Sequence, residues 1–204
     1  MALADSIMDL VEGAMGSPWV YLALLAFAAI DAFFPIVPSE TLVISAGVFA
    51  ASDGEPVVVG IVAAAAMGAF IGDHISYLIG RTAGRRLKER ATPGSRRERS
   101  FAFGQRLLEE RGGPILIVCR YIPGARTAVT LSAGAVGYAL RRFSFFDAIA
   151  ALTWAGYSTF VGYIGGEAFE DDPWKGLGLG LGIALAVSAL IELVRHLRRP
   201  KAVT

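Results

Sequence analysis

The 204-residue sequence is poor in the side chains that most enzymes use, with one cysteine, Cys119, and two histidines, His74 and His196. A single cysteine excludes an intramolecular disulfide and a thiolate metal cage. With two histidines and no HExxH, GxSxG or paired-histidine phosphatase pattern, the common hydrolytic and metalloenzyme signatures are missing. The expectation is therefore a protein without cofactor or metal that makes and breaks no bond. A positively charged leader is also lacking: MALADSIMDLVEGAMGS opens with acids, and Trp19–Phe34 runs into Pro-Ile-Val-Pro rather than a small-residue cleavage site, so no removable signal peptide is expected. Net charge is only +1. Apolar residues dominate instead, at 54% hydrophobic with a mean hydropathy of +0.55, more than one soluble core requires.

Crossing a hydrocarbon layer ~30 Å thick takes about 20 helical residues. Val57–Ile79, Phe143–Gly165 and Trp174–Val194 meet that length. Between Arg81 and Arg111 the apolar character lapses into a segment with ten basic and four acidic residues. Positive charge is retained on the cytoplasmic side, so this loop and the tail residues Arg195, Arg198, Arg199 and Lys201 are expected there. The acidic stretches Ser52–Glu55 and Glu167–Asp172 then face outward. Pro114–Tyr138 must start and end in the cytoplasm, yet it carries Arg120, Pro123, Gly124 and Arg126 in its middle. It reads as a re-entrant hairpin with its broken tip inside the membrane, where irregular backbone needs cover from protein or a water-filled cavity.

The same pattern occurs earlier. Pro38-Ser39-Glu40-Thr41-Leu42-Val43-Ile44-Ser45-Ala46-Gly47 lies over Gly124-Ala125-Arg126-Thr127-Ala128-Val129-Thr130-Leu131-Ser132-Ala133-Gly134 with one insertion. Gly16-Ser17-Pro18 resembles Gly112-Gly113-Pro114, and Tyr77–Gly80 resembles Tyr163–Gly166. The expected architecture is all-α and integral to the membrane: an inverted repeat of amphipathic helix, re-entrant helical hairpin and transmembrane helix, plus a C-terminal transmembrane helix. Its boundaries are repeat 1 at 1–81, a basic loop at 82–96, repeat 2 at 97–167, the last span at 173–195 and a basic tail at 196–204. Trp19–Phe34 is also long enough to cross, which would make the first hairpin a full span followed by a short dip and move the N-terminus inside.

A charge in the bilayer interior costs at least ~2.5–3.5 kcal/mol on insertion scales, so it implies a task or a partner. Glu40 and Arg126 stand at equivalent tips with opposite sign, and Glu40 is expected to pair with Arg126 or Arg120 when the site is empty. An arriving phosphate would take the arginines by bidentate hydrogen bonds and leave Glu40 to bind a proton. The half-helix from Thr127 would add its positive end. The competing readings are structural: Glu40 as an early-turn acid on the helix from Thr41, and Arg120 and Arg126 snorkelling to headgroups. Asp73 and His74 suit either a proton relay or an interhelical hydrogen bond. Asp31 and Asp147 are placed near membrane interfaces as weaker candidates, and Asp53 reads as a loop acid or a proton-access group. The candidate substrate-binding residues are thus Arg120, Arg126, Glu40, Pro38 and Gly124, and the proton-coupling ones Glu40, Asp53 and Asp73. Gly176–Gly182 lies in an apolar span without a preceding strand and is no nucleotide loop. Gly68-xxx-Gly72 and Gly162-xxx-Gly166 mark faces where helix backbones approach closely. The basic segment carries Phe101, Phe103, Leu107 and Leu108, which suits an anionic leaflet rather than nucleic acid.

Three motifs, Phe34–Glu40 with Gly47, Gly72–Arg81, and Arg120–Arg126 with Gly134, resemble the DedA family, also described as the SNARE-associated or VTT-domain superfamily. The resemblance covers roughly Pro18 to Gly166. It implies a membrane lipid translocator, a flippase or scramblase for undecaprenyl phosphate or phospholipid, linked to proton-motive-force maintenance in a bacterial inner membrane. It further implies that Glu40 and Asp53 match the family's essential acids and Arg120 and Arg126 its paired arginines. Pro-Ser-Glu stands here where the family often has Pro-Gly-Glu. Expected partners are membrane lipids and protons, with no nucleic acid and with assembly into a homo-oligomer left open. The alternative is a proton-coupled transporter of a small solute or ion.

Overall fold

The structure is a computed structural model and describes residues 13–34, 39–52, 54–89, 95–122 and 124–167. Among these residues every regular element is helical: α1 (Trp19–Phe33), α2 (Ser39–Ser52), α3 (Val58–Glu89), α4 (Arg96–Arg111), α5 (Pro114–Arg120), α6 (Ala125–Ala135) and α7 (Leu140–Glu167). The expected C-terminal span at 173–195, the tail at 196–204, Pro38 and Asp53 lie outside the described residues.

Local sequence accounts for the breaks. α1 stops at Phe33 because Phe34 precedes Pro35, and a residue before proline is pushed out of the helical region. α4 begins with a serine N-cap, the Ser95 side chain accepting from the Glu98 backbone N–H at 3.2 Å. It ends at Gly112, whose φ of 64° other residues avoid. Proline then opens α5 at its first turn. The helical path fails again between α5 and α6, where Gly124 sits at φ 76°. α3 does not stop where the apolar run does. Its continuation through Glu89 makes the first part of the expected basic loop helical, in keeping with its good helix formers Arg85, Arg86, Leu87 and Lys88.

Lengths sort these helices. At ~1.5 Å per residue, α1 with 15 residues and α2 with 14 each reach only about 22 Å, and α5 and α6 are shorter still. α1 therefore falls short of a full crossing by itself. Val58–Thr82 of α3, 25 residues at mean hydropathy 1.8, is the one described stretch both long and apolar enough to cross. The 28-residue α7 contains the expected span Phe143–Gly165 and has the length, but its serine, threonine and glycine residues make it less apolar.

α3 is built inside out relative to a soluble helix. Met67, Ile71, Ile75 and Leu78 form an exposed stripe, while Asp73, Ser76 and Tyr77 are buried. Trp19, Leu22, Phe27 and Ile30 of α1 and Leu152, Phe160 and Ile164 of α7 continue the apolar exterior. A surface of this kind suits hydrocarbon as solvent.

Tight packing between helices rests on glycine. Gly134 of α6 faces the backbone of Tyr77 and Arg81 on α3, while Gly80 of α3 faces Leu131 on α6. Gly47 of α2 faces the backbone of Thr159 and Tyr163 on α7, while Gly162 of α7 faces Ile44 on α2. The two seams have the same register: each hairpin glycine lies between residues three before and one after the partner glycine. Gly162 therefore takes the place of Gly80, one turn earlier than the sequence match Tyr77–Gly80 to Tyr163–Gly166. α1 packs along α3 through Gly68 and Gly72, and α5 packs along α7. The seven helices thus divide into α1, α3, α4 and α6 on one side and α2, α5 and α7 on the other, with α3 against α7 between them. Two apolar clusters fill the interior, one around Leu24, Ile61, Ala65 and Trp154, the other around Tyr77, Leu116, Val129 and Phe143.

A Cβ at Gly134 or Gly162 would collide with backbone, whereas Gly156 on the same helix as Gly162 has open space around it. Gly134→Ala and Gly162→Ala should each destabilise by about 1–3 kcal/mol, while Gly156→Ala is neutral or slightly stabilising. Apparent Tm in detergent measures both.

Candidate functional site: a buried ion-pair chain

The acids and bases of the interior lie one turn away from both apolar clusters. Asp73 stands between Ala69 and Tyr77 on α3, and Asp147 between Phe143 and Ala151 on α7. Both are buried, at 1% and 3% exposure. Arg120, the last residue of α5, reaches Asp73 Oδ2 with Nη1 at 2.5 Å and lies 3.6 Å from Asp147 Oδ1. Its guanidinium carbon stands 5.2 Å from the Trp154 ring centroid, a cation–π distance. Arg126, in the first turn of α6, donates from Nη2 to the Asp31 backbone carbonyl at 2.5 Å. The same nitrogen lies 3.4 Å from Asp31 Oδ2, and Nε lies 3.8 Å from Asp73 Oδ1. Asp73 is thus shared by both arginines.

The end of α1 is finished by other helices. A helix leaves its last four carbonyls without intrahelical partners. Here the Asp31 carbonyl accepts from Arg126, and the Ala32 carbonyl accepts from Thr127 Oγ1 at 3.2 Å and Ser76 Oγ at 3.5 Å. A cation at this negative helix end is favourable as well. The Ser39 hydroxyl, at the start of α2, donates to Asp31 Oδ2 at 2.6 Å. On the far side of the cluster, His74 Nδ1 lies 2.8 Å from the Phe70 carbonyl and 3.4 Å from Asp147 Oδ2, while Nε2 lies 2.8 Å from Ser144 Oγ.

Satisfaction is incomplete. Among the described residues, Arg120 Nε and Nη2, Asp73 Oδ1 and Asp147 Oδ2 have no hydrogen-bond partner. The guanidinium of Arg120 therefore keeps donors to offer, and its fork geometry matches a phosphate or carboxylate.

Several expectations shift against this geometry. Arg120, Arg126 and Asp73 do come together, and Gly124 lies exposed between the two arginines. Glu40 does not join them: it is half-buried in the first turn of α2, and no ion pair links it to either arginine among the described residues. The expected Glu40–Arg126 pair is replaced by Asp31–Arg126, because Asp31 stands at a helix end whose carbonyl the same guanidinium also satisfies. Asp31 and Asp147, expected near the interfaces, are central to the cluster. One signal for Asp31 was available, since it is the single charge in WVYLALLAFAAIDAF and an isolated charge in an apolar run requires a partner.

The VTT-domain family model matches residues 37–164. The chain belongs to this family, known also as DedA. Protein DedA of Escherichia coli K12 is 29% identical over 185 residues, covering 88% of this chain and 84% of that protein. The uncharacterized membrane protein Mb2670 of Mycobacterium bovis is 31% identical over 156 residues, 73% of this chain and 70% of its own length. The uncharacterized membrane protein Rv0364 of Mycobacterium tuberculosis is 29% identical over 143 residues, 70% of this chain, and the match spans 63% of the mycobacterial protein. No solved structure matches the chain. Together with the inside-out α3, the family assignment makes this VTT-domain chain a helical membrane protein, and the ion-pair chain its buried polar centre.

Arg120→Ala would strand Asp73 and Asp147 without their shared cation, and should cost about 3–5 kcal/mol. Arg106→Ala removes only the exposed pair with Glu110 at 3.8 Å and should change stability by less than about 0.5 kcal/mol. Thermal unfolding of both variants in detergent, checked by monodispersity, tests the contrast.

Proposed function

We propose that this VTT-domain protein is a membrane lipid translocase, a flippase or scramblase whose cargo is undecaprenyl phosphate or a phospholipid headgroup. The reading rests on one observation above the others: two arginines on the two sides of a single broken tip are held by aspartates from α1, α3 and α7, inside an apolar exterior. Such a cluster is a closed anion site. A phosphate group competes with carboxylates for the same guanidinium donors and brings more charge and more acceptor oxygens to them. Arg126, with 12% of its side chain exposed, meets the anion first, and Arg120, at 1%, follows as the tip opens. Carboxylates displaced in this way become proton acceptors, so anion and proton move together and no bond is made or broken.

The matching glycine seams support an inverted repeat. α1, α2 and α3 would form one unit and α5, α6 and α7 the other, with each hairpin's second arm packed on the other unit's long helix. Rocking of one helix group against the other would then give alternating access to the tips. The basic segment after α3 supports a cytoplasmic side for that end and a bacterial inner membrane as location. Assembly into a homo-oligomer belongs to the same reading as an open element. The enclosure of Arg120 favours a second reading, proton-coupled transport of a small anionic solute, since a small anion fits a closed site without lateral opening.

Proteoliposomes carrying headgroup-labelled polyprenyl phosphate or phospholipid, with an imposed pH gradient, separate the two. Wild type should move the label faster with the gradient, and Arg126→Ala should lose at least tenfold in rate. Uptake of inorganic phosphate without lipid movement would select the solute carrier, and movement unaffected by Arg126→Ala would remove the arginine site from the pathway.

A further inference from the structure

One part of the ion-pair chain is left over by the reading above. His74 and Ser144 extend it through Asp147 away from the arginine tip, and nothing in anion binding requires either of them. The series is continuous: Ser144 Oγ to His74 Nε2 at 2.8 Å, His74 Nδ1 to Asp147 Oδ2 at 3.4 Å, Asp147 Oδ1 to Arg120 at 3.6 Å, and Arg120 to Asp73. Asp147 therefore faces an imidazole with one oxygen and a guanidinium with the other.

The proton positions follow from the partners. The Phe70 carbonyl only accepts, so the His74 Nδ1 at 2.8 Å carries hydrogen, and Asp147 Oδ2 lies beside that same N–H without a full hydrogen bond of its own. Neutral His74 then presents Nε2 as an acceptor to the Ser144 hydroxyl, and a proton arriving there reverses that bond. His74 is the less enclosed end, its side chain 21% exposed against 4% for Asp147. Rings close the sides, with Phe70 at 4.0 Å and Phe143 at 5.1 Å between centroids.

Charge accounting points the same way. Around His74 the described groups are Asp73 on its own helix, Asp147 from α7 and Arg120 from α5, joined through Asp73 to Arg126 on α6 and Asp31 on α1. Two guanidinium groups meet three carboxylates, with Glu40 beyond Asp31 as a further acid, so with His74 neutral the cluster is short of positive charge. A proton on the His74–Asp147 pair reduces the deficit.

We propose that His74 and Asp147 form the proton-binding pair of this carrier, and that a proton on the pair releases Arg120 from Asp147. Arg120 then has more donors free for a phosphate monoester, so proton and anion bind cooperatively. The sign follows: the pair fills as pH falls, and anion affinity rises with it. This rests on the translocase reading only for what the anion is.

Trp154 reports on Arg120 directly. In a Trp19→Phe/Trp174→Phe background of the full chain in detergent, Trp154 emission without ligand should show a transition between about pH 5 and 8, where histidine ordinarily titrates. The transition should be lost in Asp147→Asn and in His74→Gln, and Ser144→Ala, which leaves both groups in place, should move its midpoint. A transition that persists unchanged in all three variants overturns the proposal, as does its absence from the wild-type background. In a second arm, farnesyl phosphate and inorganic phosphate are titrated against the same proteins. Wild type should bind at least tenfold tighter at the acid end than at the alkaline end, and Asp147→Asn should bind tightly throughout. The probe's own ionisation is common to all variants and cancels in the comparison. Wild-type pH dependence retained in Asp147→Asn overturns the proposed coupling. Binding of neither probe, with the Trp154 transition intact, would overturn the phosphate reading of the previous subsection while supporting the proton pair. Preference for farnesyl phosphate over inorganic phosphate assigns the anion to a lipid, and the reverse to a free solute.

Discussion

The carboxylate of Asp73 sits at the junction of everything else in this structure. It holds Arg120 directly and faces Arg126 at longer range, and those arginines lie on the two sides of the broken tip between α5 and α6. Burying such a group is unfavourable unless it is paired and its lone pairs are used. The long apolar helix α3 can carry Asp73 at its centre because the second hairpin delivers two cations to it. In turn, the hairpin can keep two guanidinium groups away from water because α1, α3 and α7 each contribute an aspartate. Hairpin and frame are each unfavourable alone, and their mutual dependence fixes where the tip rests.

Glycine makes that arrangement geometrically reachable. The seams between α3 and α6 and between α2 and α7 bring backbones close enough that side chains at the tips need little reach. They also distribute the helices unevenly along the chain. The first hairpin is split, with α1 bound to α3 and α2 bound to α7, and the second is split the other way. Polar links cross between the two helix groups at Arg120–Asp73, His74–Asp147, His74–Ser144 and Ser39–Asp31. These links are the contacts that any relative movement of the groups has to exchange.

Much of this was legible in sequence, for identifiable reasons. Helix positions follow from apolar runs and from Pro35, Gly112 and Pro114, which act locally. Arg120 and Arg126 stood out because charges flanking Pro-Gly in an apolar segment have few explanations. The glycine pairs Gly68/Gly72 and Gly162/Gly166 were legible as close-approach faces. The acid partners were not. Glu40 was chosen by pseudo-symmetry, which equates positions in two copies but does not say which residues touch across the axis. Asp31 and Asp147 were ranked as weaker candidates because each lies near an end of its apolar run, and position along a run does not say which side chains another helix brings to it. His74 was read beside Asp73 as a proton relay or an interhelical hydrogen bond, but its partner was not legible, since the contact with Asp147 joins residues 73 positions apart and follows no periodicity.

The completion of α1 by side chains from α6 has a consequence for how the protein is made. The carbonyls at Asp31 and Ala32 emerge from the ribosome early, but Arg126 and Thr127 follow almost a hundred residues later. The glycine face of α2 waits longer still for Gly162. Until those residues follow, the contacts that finish α1 and cover the α2 seam are missing, so each half of the chain supplies what the other lacks. A chain that stopped between α3 and α6 would lack Arg126 and Thr127, leaving the Asp31 carbonyl without its donor and the Ala32 carbonyl with Ser76 alone.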